Sequence, residues 1–363
     1  MADMIPIIGL MAGTSVDGID AALIFSDGKR VERTPHALTT PYDKKTRAAI
    51  FNAFEDPKGN HDALDVMIAQ DHARACEMLI AEAGLSPKLI GFHGQTIFHD
   101  PDHGVSMQQG NAHYLAMRLG VAVAHQFRQN DLKHGGQGAP LAPIYHQALM
   151  TAMNLPLPAA LVNIGGISNL SLWDGARLTG FDTGPGNALM DDAMRGHDGS
   201  SLDHNGAMAA RGTADDDVIT AIMSHPYFQK TGPKSIDRMA LYDFLDDSGI
   251  EGLPIEDRLA SLTRLTARSI IDGARRNAPD LKALVVCGGG GFNPSLMAMI
   301  RAEAPTLTVH RMEDHGMDSG FIEAELMGFL AARCKAGLPL TFPETTGVAE
   351  PVTGGSIITP QPK

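Results

Sequence analysis

One pattern constrains the fold of this chain more than any other, because it occurs twice: an apolar run, a turn of small residues and a second apolar run. The first copy spans residues 4–25 and turns at Gly13-Thr14-Ser15-Val16-Asp17-Gly18; the second spans residues 159–172 and turns at Gly165-Gly166. Each copy predicts two strands joined by a tight turn. We therefore expect two related halves, each with one glycine turn whose backbone can approach a phosphate. Plain β-hairpins that hold no ligand are the alternative.

A third turn contains the most prominent carboxylate. Residues 180–191 read Gly-Phe-Asp-Thr-Gly-Pro-Gly-Asn-Ala-Leu-Met-Asp, so an apolar strand ends at Asp182 and is followed by Gly184 and Gly186. Asn187 is placed to cap the next helix, which predicts free backbone N–H groups that point back toward the turn. A carboxylate between a strand end and a helix N-terminus suits phosphate chemistry. A turn in which Asp182 only caps the helix is the alternative.

Composition excludes several classes of protein. The 363 residues are enough for about two domains. The net charge is -13 and no basic run occurs, which argues against a nucleic-acid or anionic-membrane partner. The three cysteines form no CxxC pair, so neither a disulfide framework nor a standard zinc site is expected. Without a signal peptide or an apolar run of roughly 18 residues, we expect a soluble cytoplasmic protein.

Two loops carry polar side chains that suit a small ligand. The short strand 89–92 runs into His93-Gly94-Gln95-Thr96, and we expect His93 and Gln95 to donate hydrogen bonds to a ligand or to neighbouring loops. His99 and His103 follow, but their spacing is weak support for a metal site. A second loop, residues 127–141, combines Arg128, Asp131 and three glycines, which suits sugar hydroxyls or an acid group. A surface loop with an Arg–Asp ion pair is the alternative.

A fourth glycine-rich turn follows the apolar run 283–287. Gly288-Gly289-Gly290-Gly291 lets a flat or phosphorylated ligand touch the backbone, and Asn293 before Pro294 predicts a helix start. Other helices are expected over 43–86, ending at Gly84, over 257–277, and over 318–334, which carries Glu323 and ends before Gly337. A tight strand-to-helix turn without a ligand is the alternative reading of the four glycines.

Together these runs resemble the anhydro-N-acetylmuramic acid kinase family, which belongs to the actin, Hsp70 and sugar-kinase superfamily. The matching runs lie in family order along nearly the whole chain: residues 9–20, 93–96, 135–141, 163–169, 182–187 and 287–290. The resemblance implies an α/β fold of two ribonuclease-H-like domains around a nucleotide cleft. It places one domain at 1–125 plus about 340–363 and the other at 126–339, and it suggests a homodimer.

The resemblance also implies the reaction and its residues. ATP, water and 1,6-anhydro-N-acetylmuramic acid would give N-acetylmuramic acid 6-phosphate and ADP, with Asp182 as the base that activates water. Nucleotide contacts are expected from Gly13, Thr14, Ser15, Val16, Asp17, Gly18, Ile19, Asp20, Gly165, Gly166, Gly184, Gly288, Gly289, Gly290 and Asn293. Mg²⁺ would be held through water by Asp17 and Asp20. Sugar contacts are expected from His93, Gln95, Thr96, Arg128, Asp131, Gly136, Gln137 and Glu323.

Three departures from the family pattern affect the expected substrate preference. Ala12 stands where Ser is usual, Gln126 stands where Asp is usual, and residues 232–239 read Gly-Pro-Lys-Ser-Ile-Asp-Arg-Met in place of Pro-Pro-Lys-Ser-Thr-Gly-Arg-Glu. None of them is expected to touch the Asp182 turn. A kinase for another anhydrosugar, such as levoglucosan, and a non-catalytic nucleotide-binding module of the Hsp70 or actin type therefore remain as alternatives.

Overall fold

The computed structural model describes residues 3–360, which form a mixed α/β chain. Its strands are β1 (Ile5–Ala12), β2 (Ile19–Ser26), β3 (Val31–Thr40), β4 (Leu89–Asp100), β5 (Val105–Gln109), β6 (Val123–His125), β7 (Ala159–Ile164), β8 (Ile167–Trp173), β9 (Leu178–Pro185), β10 (Ala283–Cys287), β11 (Thr308–Arg311), β12 (Pro339–Thr341), β13 (Val352–Thr353) and β14 (Ser356–Ile358). Its α-helices are α1 (Lys44–Glu55), α2 (Asp62–Ala83), α3 (Ala112–Leu119), α4 (Gln129–Lys133), α5 (Pro143–Ala152), α6 (Ala188–Asp198), α7 (Asp216–Met223), α8 (Pro226–Gln229), α9 (Ala240–Asp243), α10 (Ile255–Asn277), α11 (Pro294–Glu303), α12 (Ile322–Ala336) and α13 (Pro343–Thr346).

The chain divides into two compact units. The first runs as far as Ala152 and resumes at Phe321, and the second is Met153–Gly320. These limits differ from the predicted boundaries at 125 and about 340. The reason is that α5 and α12 belong to the first unit, where α12 packs on β1, β2 and β4. Tyr145 of α5 donates a hydrogen bond to the buried Glu325 of α12 at 2.8 Å.

Both units contain a sheet with the same strand order. In the first unit the order is β3-β2-β1-β4-β6, and in the second it is β9-β8-β7-β10-β11. In the first unit, β3, β2 and β1 are antiparallel neighbours, β4 runs parallel to β1, and β6 runs parallel to β4. In the second unit, β9, β8 and β7 are antiparallel neighbours, β10 runs parallel to β7, and β11 runs parallel to β10. This is the ribonuclease-H-like arrangement, so the predicted pair of related domains is confirmed. The two glycine hairpins, β1-β2 and β7-β8, occupy the same place in the two sheets.

Two strand glycines let helix α12 approach the first sheet closely. A Cβ on Gly9 would lie 1.8 Å from the carbonyl oxygen of Ala324, and a Cβ on Gly91 would lie 2.0 Å from that of Met327. Neither distance is compatible with a side chain, because non-bonded carbon and oxygen atoms stay more than 3 Å apart. The helix backbone therefore rests directly on β1 and β4, with the glycines as the contact surface.

Several predicted elements are confirmed, and their ends follow the expected signals. Helix α2 ends at Gly84 with φ of 62°, and α11 begins at Pro294 under an Asn293 cap that accepts from two backbone N–H groups. The predicted helical stretch 43–86 is two helices, because Pro57 and Gly59 interrupt it. Strand β3 was not predicted, since its charged and half-buried residues do not alternate regularly between apolar and polar positions. Within residues 3–360, no helix is both long and apolar enough to cross a membrane.

Candidate active site

The turn of the first hairpin presents small and acidic residues to solvent. Gly13, Thr14, Ser15 and Asp17 are exposed between β1 and β2. This exposure is compatible with the predicted phosphate contact, which stays a prediction. Gly18 closes the turn, and a Cβ there would lie 2.7 Å from the carbonyl oxygen of Thr40, so the close approach to β3 requires glycine.

Val16 and Ile19, both predicted to contact the nucleotide, have side chains in the hydrophobic core. Both are fully buried. The Val16 backbone has a φ of 56°, and its N–H donates to the Gly13 carbonyl oxygen at 3.2 Å. Their side chains therefore shape the hairpin from below, and only their main-chain atoms are left for a ligand. The apolar side chains in this turn of small residues therefore serve to pack the hydrophobic core.

Asp20 fits a role beside a cation through its surroundings. It is half-buried, and its Oδ1 accepts a hydrogen bond from Thr39 Oγ1 at 2.5 Å. Burial raises the pKa of Asp20, which the Thr39 hydrogen bond partly opposes. A poorly solvated carboxylate gains from a nearby positive charge, so Asp20 and the exposed Asp17 suit a hydrated Mg²⁺. Between residues 3 and 360, no three His, Cys, Asp or Glu side chains cluster to hold a metal directly.

Gln95 supports the first hairpin and is closed to a ligand, which corrects its predicted sugar contact. It is fully buried. Its Nε2 donates to the carbonyl oxygens of Gly13 at 3.1 Å and Thr96 at 3.2 Å, and its Oε1 accepts from the Tyr42 hydroxyl at 3.1 Å. The amide therefore links strand β4 to the turn. Thr96 remains half-buried, with its hydroxyl accepting from Gln108 at 3.3 Å.

His93 holds Arg128 in place, so its predicted direct contact with the sugar is also corrected. His93 is buried, its Nδ1 is 3.0 Å from the carbonyl oxygen of Gly94, and its Nε2 accepts from Arg128 Nε at 3.1 Å. Burial, aided by the Arg128 charge, lowers the pKa of His93 to about 3, so the ring is neutral. Arg128 Nη1 also donates to the carbonyl oxygen of Gly138 at 2.7 Å. Among the described residues 3–360 no hydrogen bond from Nη2 of this guanidinium is found, so Nη2 is left for a ligand.

Asp131 organises the glycine loop and is not open to a ligand. It is 1% exposed. One oxygen accepts from the Gly138 N–H at 2.6 Å and the other from the Thr346 hydroxyl at 2.6 Å. A Cβ on Gly136 would lie 2.3 Å from Asp131 Oδ2, which explains that glycine. Asp131 is thus corrected from a sugar contact to a loop anchor, while Gln137 stays exposed.

Glu323 keeps an accessible side chain on α12. Loss of solvent around the carboxyl raises the pKa of Glu323, Asp20 adds to the effect, and Arg128 opposes it. The same carboxyl and Asp131 favour the charged form of Arg128, although burial lowers the pKa of Arg128 to about 10. Arg128 and Glu323, which both belong to the first unit, therefore each favour the charged form of the other.

Asp182, the predicted base, is a half-buried carboxylate with a single anchored oxygen among the described residues. It lies on β9 and is half-buried, and its Oδ2 accepts from the Ile236 N–H at 3.0 Å. Burial raises the pKa of Asp182 to about 6, while the Ile236 hydrogen bond and the Lys234 charge act in the opposite direction. Among residues 3–360, no hydrogen bond to its Oδ1 is found. One oxygen is therefore anchored and the other is left to act on a ligand.

The divergent segment 232–239 contacts Asp182, which corrects the prediction that no departure touches this turn. Besides the Ile236 contact, the Asp182 N–H donates to the Lys234 carbonyl oxygen at 2.9 Å. The Tyr227 hydroxyl donates to the Asp182 carbonyl oxygen at 2.7 Å. None of these contacts has a sequence signal, because main-chain atoms of a remote loop make two of them. Tyr227, Lys234 and Ile236 are the site residues that the sequence did not reveal.

The second hairpin receives the N–H groups that were expected to be free at the start of α6. The N–H of Asn187 donates to the Gly165 carbonyl oxygen at 2.8 Å, and those of Gly186 and Ala188 donate to Gly166 at 2.9 and 3.2 Å. Asn187 occupies the cap position but its side chain makes no capping bond. The carbonyl groups of the hairpin therefore satisfy these three N–H groups, which are not free as predicted. Gly166 is exposed and Gly165 half-buried.

Two of the predicted glycines are required by close packing. A Cβ on Gly184, which has a φ of 149°, would lie 2.8 Å from the Phe228 ring. A Cβ on Gly288, at φ of 78°, would lie 2.2 Å from Asn163 Oδ1. Both are explained by packing inside the second unit. Whether they also touch a ligand stays a prediction.

A cavity of about 260 Å³ opens beside the glycine loop of the second unit. It is lined by residues of three segments: Asn187, Met190, Asp191, Leu202, Asp203, His204, Asn205, Gly289, Phe292 and Asn293. Phe292 is 54% exposed and Leu202 40%. Apolar side chains next to amide and carboxyl groups suit a flat heterocycle with polar edges. Gly289 and Asn293 were predicted to contact the nucleotide. Residues 202–205, which also line the cavity, were not, since they carry no sequence motif. Gly290 is buried beneath the loop, against Ile164.

Comparisons with known proteins agree over almost the whole length. The family model described as anhydro-N-acetylmuramic acid kinase matches residues 5–360. A protein of that name from Rhodospirillum rubrum is 42% identical over 356 residues, covering 96% of this chain and 93% of the relative. One from Azorhizobium caulinodans is 42% identical over 369 residues, covering 98% and 99%. Among solved structures, component A of (R)-2-hydroxyglutaryl-CoA dehydratase from Acidaminococcus fermentans has 13% identity and a TM-score of 0.45, covering 92% of this chain and 99% of that one. On the family model and the sequence relatives, the chain belongs to the anhydro-N-acetylmuramic acid kinase family and is a kinase.

Proposed function

We propose that this enzyme uses ATP and water to convert 1,6-anhydro-N-acetylmuramic acid to N-acetylmuramic acid 6-phosphate and ADP, as a step in reuse of cell-wall sugars. Membership of the family supports the substrate. The observation that carries the chemistry is Asp182: a half-buried carboxylate with a pKa of about 6 that, within residues 3–360, is anchored through one oxygen only. ATP is a cytoplasmic substrate, so the cytoplasm is the proposed compartment, and a homodimer remains a prediction.

In the proposed reaction, Asp182 takes a proton from water as the water oxygen bonds to the anomeric carbon. The bond from that carbon to O6 breaks, O6 bonds to the γ-phosphorus of ATP, and ADP leaves. A pKa near 6 keeps Asp182 ionised at neutral pH while leaving it basic enough to accept the proton. A glycosidase would use a second carboxylic acid to protonate the leaving oxygen. Capture of O6 by the phosphoryl group makes that acid unnecessary.

Phosphate contacts are proposed for the first hairpin, and a nucleoside contact is proposed separately for a cavity of the second unit. The exposed main chain and hydroxyls of Gly13, Thr14 and Ser15 suit the phosphates, since phosphoryl transfer depends on positioning and charge stabilisation. Asp17 and Asp20 would hold a hydrated Mg²⁺, which supplies charge neutralisation on the phosphates when it is bound. In the second unit, the cavity beside Gly289 and Phe292 suits the base of the nucleotide.

The sugar contact that defines the substrate is proposed for Arg128. Muramic acid carries a lactyl carboxylate, and a guanidinium whose Nη2 makes no hydrogen bond within residues 3–360 is suited to it. Levoglucosan has no such group and would gain nothing from Arg128. A comparison of turnover with the two sugars therefore tests whether Arg128 contributes to the choice of substrate.

The test measures ADP formation with each anhydrosugar, in ¹⁶O and in ¹⁸O water. We expect turnover with the muramic acid derivative and the heavy oxygen at its anomeric carbon, with none in the phosphate. Activity confined to levoglucosan would overturn the substrate, and ¹⁸O in the phosphate would overturn the mechanism. ADP formation indifferent to sugar would favour the non-catalytic nucleotide module.

The Asp182→Asn variant isolates the base. The amide has nearly the shape of the carboxylate but cannot accept the proton, so sugar-dependent turnover should fall by about three orders of magnitude or more. ATP affinity, measured by calorimetry, should stay within about twofold because the nucleotide contacts are unchanged. Turnover like that of the wild type would remove Asp182 from the mechanism.

A further inference from the structure

A single loop, residues 232–239, supplies the only hydrogen bond found to the Asp182 carboxylate within residues 3–360. The bond comes from the Ile236 main chain at 3.0 Å. A main-chain donor cannot be adjusted by rotating a side chain, so its position depends on what holds the loop. The loop lacks regular structure between Gly232 and Arg238. Its anchors therefore decide whether the donor stays on Asp182.

On the N-terminal side of Ile236, Lys234 is the anchor. Its Nζ donates to the Tyr227 carbonyl oxygen at 3.0 Å and lies 4.3 Å from the centre of the Tyr227 ring. Burial, with the nearby Arg276 and Lys230 charges, lowers the pKa of Lys234 to about 8. The Tyr227 hydroxyl in turn bonds the Asp182 backbone. Lys234 and Tyr227 are the ionisable groups that face Asp182, and both belong to this anchor.

On the C-terminal side, Arg238 is the anchor. Its Nη2 donates to both carboxylate oxygens of Asp192, at 2.8 and 3.0 Å. Asp192 lies on α6, the helix that begins directly after the Asp182 turn. It also accepts hydrogen bonds from Arg195 and from the Tyr242 hydroxyl. The loop is thus tied to the rigid helix two residues beyond the donor.

We propose that Arg238 is a positioning residue of this kinase: its ion pair with Asp192 keeps the Ile236 N–H on the Asp182 carboxylate. The inference rests on the proposed base role of Asp182 for its effect on catalysis, though not for the contact itself. Arg238 does not touch the carboxylate, and it acts through the main chain that it fixes. Asp192 serves as the fixed point for the loop.

The sign of the effect follows from which form the N–H stabilises. A donor bonded to a carboxylate favours the ionised form, so a loosened loop raises the pKa of Asp182 above about 6. A smaller fraction of the enzyme would then hold the base ready at neutral pH. Partial loss of the donor should move the pKa upward by about 0.5 to 1 unit.

Two opposite substitutions separate positioning from direct electrostatics. Arg238→Met removes a positive charge and Asp192→Asn removes a negative one, so through-space effects on the pKa of Asp182 have opposite signs. Positioning predicts an upward shift for both. Arg211→Met is the matched control, because Arg211 is as exposed as Arg238, at 57%, and pairs with Glu256 away from this loop. Arg238→Lys keeps the charge but only one donor direction, so it should recover part of the shift.

The experiment titrates the Asp182 carboxyl carbon by ¹³C NMR in the full chain, with its signal assigned by loss in Asp182→Asn. The pH profile of kcat with sugar and ATP is recorded in parallel, and a melting curve checks each variant for folding. We expect upward shifts in Arg238→Met and Asp192→Asn, a smaller shift in Arg238→Lys, and none in Arg211→Met. If Arg238→Met does not fold, Asp192→Asn alone gives the decisive sign.

An unchanged NMR titration in both variants would overturn the proposal, as would shifts of opposite sign or an equal shift in Arg211→Met. A shifted NMR titration with an unshifted kcat profile would support the positioning role while removing Asp182 as the catalytic base. The failure of the loop proposal and the failure of the proposed function therefore give different results.

Discussion

Arg128 donates a hydrogen bond from Nε to Nε2 of His93 at 3.1 Å, and this bond defines the state of the histidine. A ring nitrogen that accepts from a guanidinium carries no proton, so the proton lies on Nδ1, next to the Gly94 carbonyl oxygen. His93 is neutral because burial lowers its pKa to about 3. The neutral ring acts as a hydrogen-bond acceptor that orients the Arg128 guanidinium.

Replacing His93 by Ala should therefore weaken sugar binding more than it slows chemistry. Without the acceptor, Arg128 loses one of the two hydrogen bonds found for it within residues 3–360. We expect KM for the sugar to rise about tenfold with kcat changed less than about threefold. Steady-state kinetics with varied sugar at saturating ATP measures both. His113→Ala is the control, since His113 is an exposed histidine of the same unit, on α3. An unchanged KM in His93→Ala would contradict the positioning role.

The pH profile of the wild-type enzyme should report Asp182. The base must be ionised to accept a proton, and its raised pKa of about 6 places the loss of activity on the acid side. We expect kcat to be nearly constant above this value and to fall about tenfold for each pH unit below it. His93, neutral above about pH 3, should add no second step there. A profile that stays flat down to pH 4.5 would contradict this assignment.

Gln95 offers a test of the first hairpin. Replacing it by Leu keeps the volume of the buried side chain but removes the bond to the Gly13 carbonyl oxygen and leaves Tyr42 without its acceptor. Because the turn would lose its tie to β4, KM for ATP should rise by about three- to tenfold. KM for the sugar should change less. Gln70→Leu, at an exposed position of α2, is the control, and equal ATP kinetics in the two variants would refute the tie.

Two glycines near the N- and C-terminal ends of one helix should respond to alanine in opposite directions. At Gly186 a Cβ would lie 2.2 Å from the Gly165 carbonyl oxygen, so Gly186→Ala should destabilise the fold by about 1–3 kcal/mol. At the exposed Gly196, within α6, nothing lies within 4 Å of a Cβ. Gly196→Ala should stabilise by about 0.5–1 kcal/mol because alanine is the better helix former. Urea unfolding measures both; destabilisation by Gly196→Ala would contradict the open space.

The sequence predicted the frame of each unit well, since its signals are local. Glycine turns, the Asn293 cap and the apolar face of α10 depend on neighbours in the chain, and each is present in the structure. The unit boundary was harder to predict. It depends on where α12 packs, and contact with glycines far away in sequence decides that.

Several predicted site residues have partners in the structure that the sequence did not indicate. Asp182 is half-buried with a raised pKa, and its role as a base stays a prediction, whereas Gln95, His93 and Asp131 use their polar atoms on the protein itself. Residue type cannot distinguish a side chain that binds a ligand from one that holds its neighbour, because both need the same donors and acceptors. Ile236 was beyond reach for another reason: its contribution is a backbone N–H, which every residue except proline has.

The close seat of α12 on Gly9 and Gly91 has a consequence for how the protein is made. The ribosome synthesises the N-terminal part of the first unit, up to Ala152, and then the whole second unit before it reaches residue 322. Until then, one face of the first sheet has no helix to cover it. The second unit can therefore fold before helix α12 of the first unit has been synthesised. A nascent chain stalled before α12 should therefore present a folded C-terminal portion and an N-terminal portion that draws chaperones.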